Sequence, residues 1–535
     1  MSTSAPLPSS DVTTAYDETP YPSSSFPQTQ PNRLAAMARL FGLDAASPAN
    51  ARVLELGCAD GSNLLPLAEQ FPQASFLGVD SSKVQIAAAQ SAITAGGVTN
   101  VEVRRQDILD FPADSGKFDY IVAHGVYSWV PPAVREKVLA ICRDHLTENG
   151  VAYVSYNALP GWNMRRSLRE MMLYHTRGLT DPKTKVAQSR ALLTFLADSV
   201  PSENSAYGML LKSELSLMNG LSDNYLLHDI LGGENTPFYF YEFIAEAMKH
   251  GLQYLSESNI AEMLAGNFPE KVSQTLAQLN NQIVAQEQYM DYLRNRSFRQ
   301  TLLCRGGVPL KRNLSPAVLR QLAFRSLLIR AAGPVELVPG VPVSFATATG
   351  VQVTSGDAFV KALMQMLTET RGVAVVSYQA LLEGARSLSR PFLGEVPPDR
   401  DRTDESTLEM NLLNLLAKGF LEIHAEPVSV RTDVPERPAV SAFARYQALN
   451  ARLITNRTHQ SIPADMVARY IIAACDGTRG RDELLGELVS RVKEGKLQVN
   501  EGSVQVTDEQ RLNALLGSNL DTGLAALAAA GFFRG

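Results

Sequence analysis

The stretch Val53-Leu54-Glu55-Leu56-Gly57-Cys58-Ala59-Asp60-Gly61-Ser62-Asn63 decides how this chain is read. An apolar run, Ala51–Leu56, ends in small and acidic residues, and the helix-periodic segment Ser62–Gln70 follows. That pattern predicts the first strand of a sheet turning into its first helix. Small residues at such a turn let a ligand approach the backbone, and the turn itself can demand positive φ. After a second β-like run, Ser75–Val79, comes Gly78-Val79-Asp80. A carboxylate at that strand end can accept hydrogen bonds from ribose hydroxyls.

The ligand class follows from the charges. A pyrophosphate seat wants GxGxxG opening onto a helix N-terminus. Here the pattern is Glu-x-Gly-x-x-x-Gly, with Ala59 at the middle position and Asp60 beside it. Glu55 and Asp60 repel a pyrophosphate and suit a ligand bearing an ammonium and a sulfonium, which favours S-adenosylmethionine over NAD. Arg105-Gln106-Asp107-Ile108 follows a third strand, Val101–Arg104. Asp107 can accept from an adenine amino group while Ile108 packs against the ring.

Working outward, the spacing predicts helices over Ser82–Ala95 and Pro132–Leu146, and strands over Tyr120–Ala123 and Val151–Ser155. Strands alternating with helices predict an α/β fold with a doubly wound, Rossmann-like parallel sheet. After Trp162 the texture turns helical, through Ser189–Leu196, Ala206–Met218 and Thr275–Leu303. From about Lys311 helices mix with short strands (Val335–Leu337, Gln352–Thr354), the pattern of a winged-helix module, and the last hundred residues repeat it. The predicted division is a mobile, partly docking segment over 1–32, a cofactor domain over 33–180 and an α-helical domain over 185–310. Winged-helix-like domains over 311–430 and 436–535 follow. The N-terminal segment is Ser-, Thr- and Pro-rich, yet Tyr16, Tyr21 and Phe26 punctuate it, which predicts docking. The last helix carries Thr507 and Gln510 at capping-box spacing.

Composition narrows the function classes. The 535 residues are 45% hydrophobic and 19% charged, which excludes wholesale disorder. A net charge of −6 provides no chain-wide basic field for nucleic acid, and 311–425 is about balanced in charge. Cys58, Cys142, Cys304 and Cys475 lie far apart with no CxxC, which argues against zinc or a disulfide framework and for a reducing compartment. Neither a signal peptide nor a membrane span is evident. A cytoplasmic protein without membrane insertion is expected.

These segments carry a resemblance. VLELGCADG, GVD, QDI and FDYIVAHG resemble motifs of class I S-adenosylmethionine-dependent methyltransferases. YDETPYPSSSFPQTQPNRLA, AHGVYSWVPP and VSYNALPGW resemble the bacterial methyltransferases that carry a methyltransferase regulatory domain. NYLLHDIL, PFYFYEFIAEAMKHGLQYLSE and YMDYLRNRSFRQTLLC resemble that domain itself. The best-known members are protein lysine methyltransferases acting on bacterial outer-membrane proteins, with winged-helix-like C-terminal parts. The resemblance implies S-adenosylmethionine as cofactor, contacted by Glu55, Gly57, Ala59, Gly61, Asp80, Ser81, Asp107, Ile108 and His124. It also implies a protein substrate, with an outer-membrane protein before export as the candidate. Ala59 departs from the glycine of many relatives.

Two strand ends should flank the transferred methyl group: Ala123–Trp129 after the fourth strand and Tyr156–Trp162 after the fifth. Aromatic faces suit a sulfonium and an alkylated ammonium. His124, Tyr127 and Tyr156 are the candidate catalytic residues, with Trp129, Asn157 and Trp162 lining the substrate side. Cys58 reads as a buried neighbour of the turn. In the run Phe238–Phe243, helical spacing continues through Ile244, Ala247 and Met248, which predicts a buried helix face. Asp399–Glu405 reads as a solvated loop. No metal is needed, because a sulfonium is already an activated leaving group. A small-molecule or RNA acceptor, and a catalytically lapsed cofactor-binding scaffold, remain open alternatives.

Overall fold

The computed structural model describes residues 24–279, 281–330, 335–347, 350–370, 372–394, 399–501 and 504–534. Tyr16 and Tyr21 lie outside the described residues. Seven strands form the central sheet: β1 (Arg52–Leu56), β2 (Ser75–Asp80), β3 (Val101–Arg105), β4 (Phe118–Ala123), β5 (Leu146–Asn157), β6 (Leu252–Glu257) and β7 (Phe298–Arg305). Their order is β3-β2-β1-β4-β5-β7-β6. β7 runs antiparallel to both neighbours, pairing Ala152 with Leu303 on one side and Leu252 with Arg305 on the other. The sheet is covered on both faces, so β1, β2 and β4 read as continuous apolar runs and not as alternating ones. Chain order reverses between β1 and β4, and a crevice opens there at the carboxyl ends of the strands.

The middle of the chain is helical but also completes the sheet. Helices Trp162–His175, Pro182–Ser199 and Ala206–Gly220 pack around their own core of Leu168, Met172, Val186, Leu193, Leu211 and Met218. The predicted helix over Thr275–Leu303 ends at Arg294, and Phe298–Arg305 is a strand. Arg299 on β7 is the reason this strand reads poorly: a fully buried guanidinium breaks the apolar pattern. It is held by Glu257 on β6 at 2.7 Å and by Glu287 and Asp291 of helix Ile283–Arg294 at 3.0 and 2.8 Å. It also lies 3.9 Å over the Phe240 ring. Helix Phe240–Lys249 buries Phe240, Phe243, Ile244 and Ala247 as the spacing predicts, whereas Met248 is 63% exposed.

The 311–430 region joins the main core through a three-stranded sheet of Ala323–Ser326, Val376–Ser377 and Leu421–His424. Val335–Leu337 is not a strand. Asp399–Glu405 is not a loop: a helix starts at Arg400 and runs to Ala417. The alternating charges fall on helical turns, and Asp404 is buried where it pairs with Arg400 and Arg386.

Residues beyond 436 form a second compact unit with its own core, including Ile454, Ile471, Leu484, Leu516 and Leu520. Its last helix is capped by Asp508 accepting from Arg511 N; Thr507 does not cap it. The unit docks on the sheet domain through helix Ala442–Asn450, whose N-terminal amides of Ala442 and Phe443 donate to Glu69 at 2.7 and 3.0 Å. Phe443 packs with Leu65 and Ala92.

Candidate active site

The turn after β1 is built from positive-φ residues: Gly57 at 75°, Ala59 at 47° and Gly61 at 76°. At Gly57 a Cβ would lie 2.7 Å from Val126, so glycine is required by space as well as by φ. Gly78 is glycine because Cys58 occupies the place of its Cβ, at 2.7 Å. Ala59 holds the left-handed conformation with a side chain, and its N–H donates to Asp80 Oδ2 at 3.0 Å. Asp80 Oδ1 accepts from Ser82 N at 2.9 Å. The carboxylate is therefore anchored by two loop amides at the end of β2.

A cavity of about 580 Å³ opens at this switch point. Its lining follows the strand order. Asp107 and Ile108 come from the β3 end, Asp80 and Ser81 from β2, Glu55, Gly57 and Ala59 from β1, and His124 from β4. Asn157 ends β5, Phe298 and Gln300 start β7, and Trp129 and Trp162 close the far side. Most of the residues singled out in the sequence thus meet in one space. Gly61 is not on the wall; its place is in the turn, where its N–H donates to Cys58 O at 2.9 Å. Asp107 also caps the turn that follows, accepting from Leu109 N at 2.9 Å.

Tyr127 and Tyr156 do not line the cavity. Both rings are buried in an aromatic cluster with Phe238 and Phe243, Tyr156 stacking on Phe243 at 4.2 Å and Tyr127 meeting it edge-on at 5.1 Å. The Tyr156 hydroxyl reaches Thr301 Oγ1 at 3.2 Å, behind the β5 wall. Burial pushes both phenols well up from the ordinary tyrosine range. For Tyr156 the physical reason is strand alternation, since a β5 residue that faces the helix layer cannot also face the crevice, whereas Tyr127 lies beyond β4 in the 3-10 turn Tyr127–Trp129.

Glu55 is a strongly perturbed carboxyl group on the wall. It is 4% exposed, and burial, opposed by a hydrogen bond from Asn63, pushes its pKa up to about 8; Asp80 and Asp60 add repulsion. Oε1 accepts from Asn63 Nδ2 at 2.8 Å, whereas Oε2 has no partner. Desolvation of the His124 imidazole, which is half-buried on the cavity wall, pushes its pKa down to about 4 and keeps it neutral. Its Nδ1 lies 3.0 Å from Tyr153 Oη and 3.3 Å from Ser155 Oγ. Each hydroxyl can donate or accept, so Nδ1 is engaged by Tyr153 and Ser155 in either tautomer. The Trp129 and Trp162 indoles meet edge-to-face at 6.2 Å, and Arg165 lies over Trp162.

Sequence reasoning did not single out the strap Ser24–Gln30, of which Ser24, Phe26 and Gln28 line the cavity, beyond noting Phe26 as a docking aromatic. Asn63, Gln300 and Phe298 were missed as well. Asn63 stood inside the quoted motif, and its polarity on a helix start was the available signal.

A sheet of this order with a single reversed strand, carrying an acidic cradle in place of a phosphate seat, defines a class. It is that of the S-adenosylmethionine-dependent methyltransferases. Three family descriptions match the chain: "Methyltransferase domain" over 53–150, "Predicted methyltransferase regulatory domain" over 222–305, and "PKMT, C-terminal winged helix domain" over 436–532. A Rickettsia prowazekii protein is 35% identical over 94% of this chain and 90% of its own length. A shorter R. prowazekii protein is 42% identical over 45% of this chain and 96% of its own. The solved structure of PKMT2 from Rickettsia typhi in complex with AdoHcy is 34% identical, with a TM-score of 0.85 over 96% of this chain and all of that one. The chain belongs to the S-adenosylmethionine-dependent methyltransferase family that includes PKMT2. The wall fits that cofactor on an observation of its own: Glu55 lines the cavity, its buried Oε2 has no hydrogen-bond partner among the described residues, and an ammonium would supply one. Among the described residues no helix is long and apolar enough to cross a membrane.

Proposed function

We propose that this chain transfers methyl groups to lysine side chains of a protein substrate. The observation that carries the reading is the near full-length likeness to PKMT2, a name that abbreviates protein lysine methyltransferase. Outer-membrane proteins before export are the proposed substrates, and the cytoplasm the proposed compartment.

When bound, S-adenosylmethionine supplies a methyl group on a sulfonium that leaves as a neutral thioether. In this reading Glu55 Oε2 accepts the cofactor's ammonium, and Asp80 accepts from the ribose. Ser81 flanks the ribose, Asp107 accepts from the adenine amino group, and Ile108 packs on the ring. Gly57, Ala59 and Gly61 shape the turn. His124 walls the site as a neutral imidazole. Trp129, Asn157 and Trp162 line the acceptor side, where indole faces suit an alkylated ammonium. The proposed catalytic contribution is alignment and exclusion of water, not a side-chain base. Tyr127 and Tyr156 lie off the cavity wall, and His124 Nδ1 is engaged by Tyr153 and Ser155. A lysine at pH 7 must then lose its proton at a cost of about 4.6 kcal/mol, which a dry aromatic channel lowers by disfavouring the ammonium.

The experiment is transfer of isotopic methyl from S-adenosylmethionine into a fractionated bacterial lysate, followed by mass spectrometry. Label on lysines of a discrete protein, lost with Asp80→Ala together with cofactor binding, is the expected result. Label confined to RNA or small molecules overturns the substrate. Cofactor binding without any label favours the scaffold alternative.

A further inference from the structure

Asn63 is 5% exposed and is used from every side. Its Nδ2 donates to Glu55 Oε1 at 2.8 Å and to Thr29 Oγ1 at 3.0 Å. Its Oδ1 accepts from Phe26 N at 2.9 Å, and His459 Nε2 lies 2.9 Å from the same oxygen. The Phe26 amide can only donate, so the carboxamide cannot be flipped without setting two donors against each other. Since Asn63 Oδ1 carries no proton, His459 must donate through Nε2. Its burial pushes the imidazole pKa down to about 3, so the ring is neutral, and Nδ1 has no partner.

His459 comes from the C-terminal unit. It sits at the tip of the hairpin Leu453–Thr455 and Ser461–Pro463 with φ at 63°. The turn is preorganised: Asn456 Oδ1 accepts from Thr458 N at 3.0 Å and Gln460 N at 2.8 Å, and Asn456 Nδ2 donates to Ala530 O at 2.8 Å. The same hairpin holds the strap, with Ser25 N donating to Ser461 Oγ at 2.9 Å. A buried imidazole with one nitrogen unpaired among the described residues is unfavourable for stability. An apolar residue would serve a merely structural docking contact better.

We propose that His459 is a positioning residue for the cofactor. Its hydrogen bond fixes the direction of the Asn63 carboxamide, which keeps Glu55 Oε1 satisfied and leaves Oε2 for the ligand. It also seats the strap that lines the cavity. The C-terminal unit is in this way part of the cofactor site although none of its own residues lines the cavity. The inference rests on the reading of Glu55 as the ammonium's partner.

The test uses the full chain, AdoHcy as the probe in calorimetric titration, and thermal melting without ligand. His459→Leu removes the donor, and His459→Gln places an amide N–H near the position of Nε2. The expected result is AdoHcy binding about tenfold weaker in the leucine variant, with the melting temperature held, and within about threefold of the parent in the glutamine variant. Unchanged binding in the leucine variant overturns the proposal, as does equal weakening by both substitutions. If the leucine variant does not fold, His459→Phe, which keeps a ring and loses the donor, is read by the same outcomes. Glu55→Gln separates the two readings. If it leaves AdoHcy affinity intact, the ammonium reading fails. If it weakens binding while His459→Leu does not, the positioning role alone fails.

Discussion

Phe26 lies against the imidazole of His124, with ring centroids 3.9 Å apart and planes tilted by 39°. A residue from the strap Ser24–Gln30 thus covers one face of the imidazole at the end of β4.

Phe26→Ala should raise the His124 pKa from about 4 towards the ordinary 6.5, because desolvation alone holds it down. Imidazole proton resonances followed by NMR between pH 3 and 8 check this. The linkage sign follows: the unfolded chain binds the proton first, so the stability from neutral His124 is present above about pH 6.5 and is lost as pH falls towards 4. The alanine variant should lose less stability over that window.

Glu55, with its pKa pushed up to about 8, is mostly protonated in the free protein at pH 7. An ammonium beside Oε2 favours the carboxylate, so AdoHcy binding at pH 7 should release most of one proton. Calorimetry in buffers of different ionisation enthalpy measures it, and Glu55→Gln should abolish the release and weaken binding about tenfold or more. In the unliganded protein a raised carboxyl pKa means stability falls as pH rises from about 4.5 to 8.

Tyr127→Phe and Tyr156→Phe should each leave turnover within about threefold, since neither hydroxyl reaches the cavity. Tyr156→Phe should instead lower stability by about 1 kcal/mol, through the hydrogen bond lost at Thr301. Initial rates and urea melts of the two variants decide it.

Ala59→Gly should stabilise the protein by about 0.5–1 kcal/mol. Relief of a left-handed alanine outweighs the added chain entropy. Urea unfolding of the cofactor-free protein is the check, and the Ala59 amide bond to Asp80 should keep AdoHcy affinity unchanged.

The β1, β2 and β3 side of the cavity wall was legible because its residues lie within a few positions of strand ends and the strands alternate regularly with helices. Glu55, Asp80 and Asp107 fell on the wall for that reason. The tyrosines misread because proximity to a strand end does not say which face a side chain takes. β7 was hidden by Arg299, whose partners Glu257, Glu287 and Asp291 become visible only when three segments meet. Nothing local to His459 or Asn63 announces their contact, since it joins positions 396 residues apart.

The reversed strand β7 also has a consequence for synthesis. β5 ends at Asn157, but its partner on that side begins only at Phe298. At ribosomal speeds the apolar edge of β5 stands open for on the order of 10 s while the intervening helices emerge. An open edge of that length invites pairing with foreign strands. Any shortened version that stops before Arg305 makes this exposure permanent, so gene fragments cut at the apparent end of the cofactor domain should yield aggregates and not a minimal enzyme.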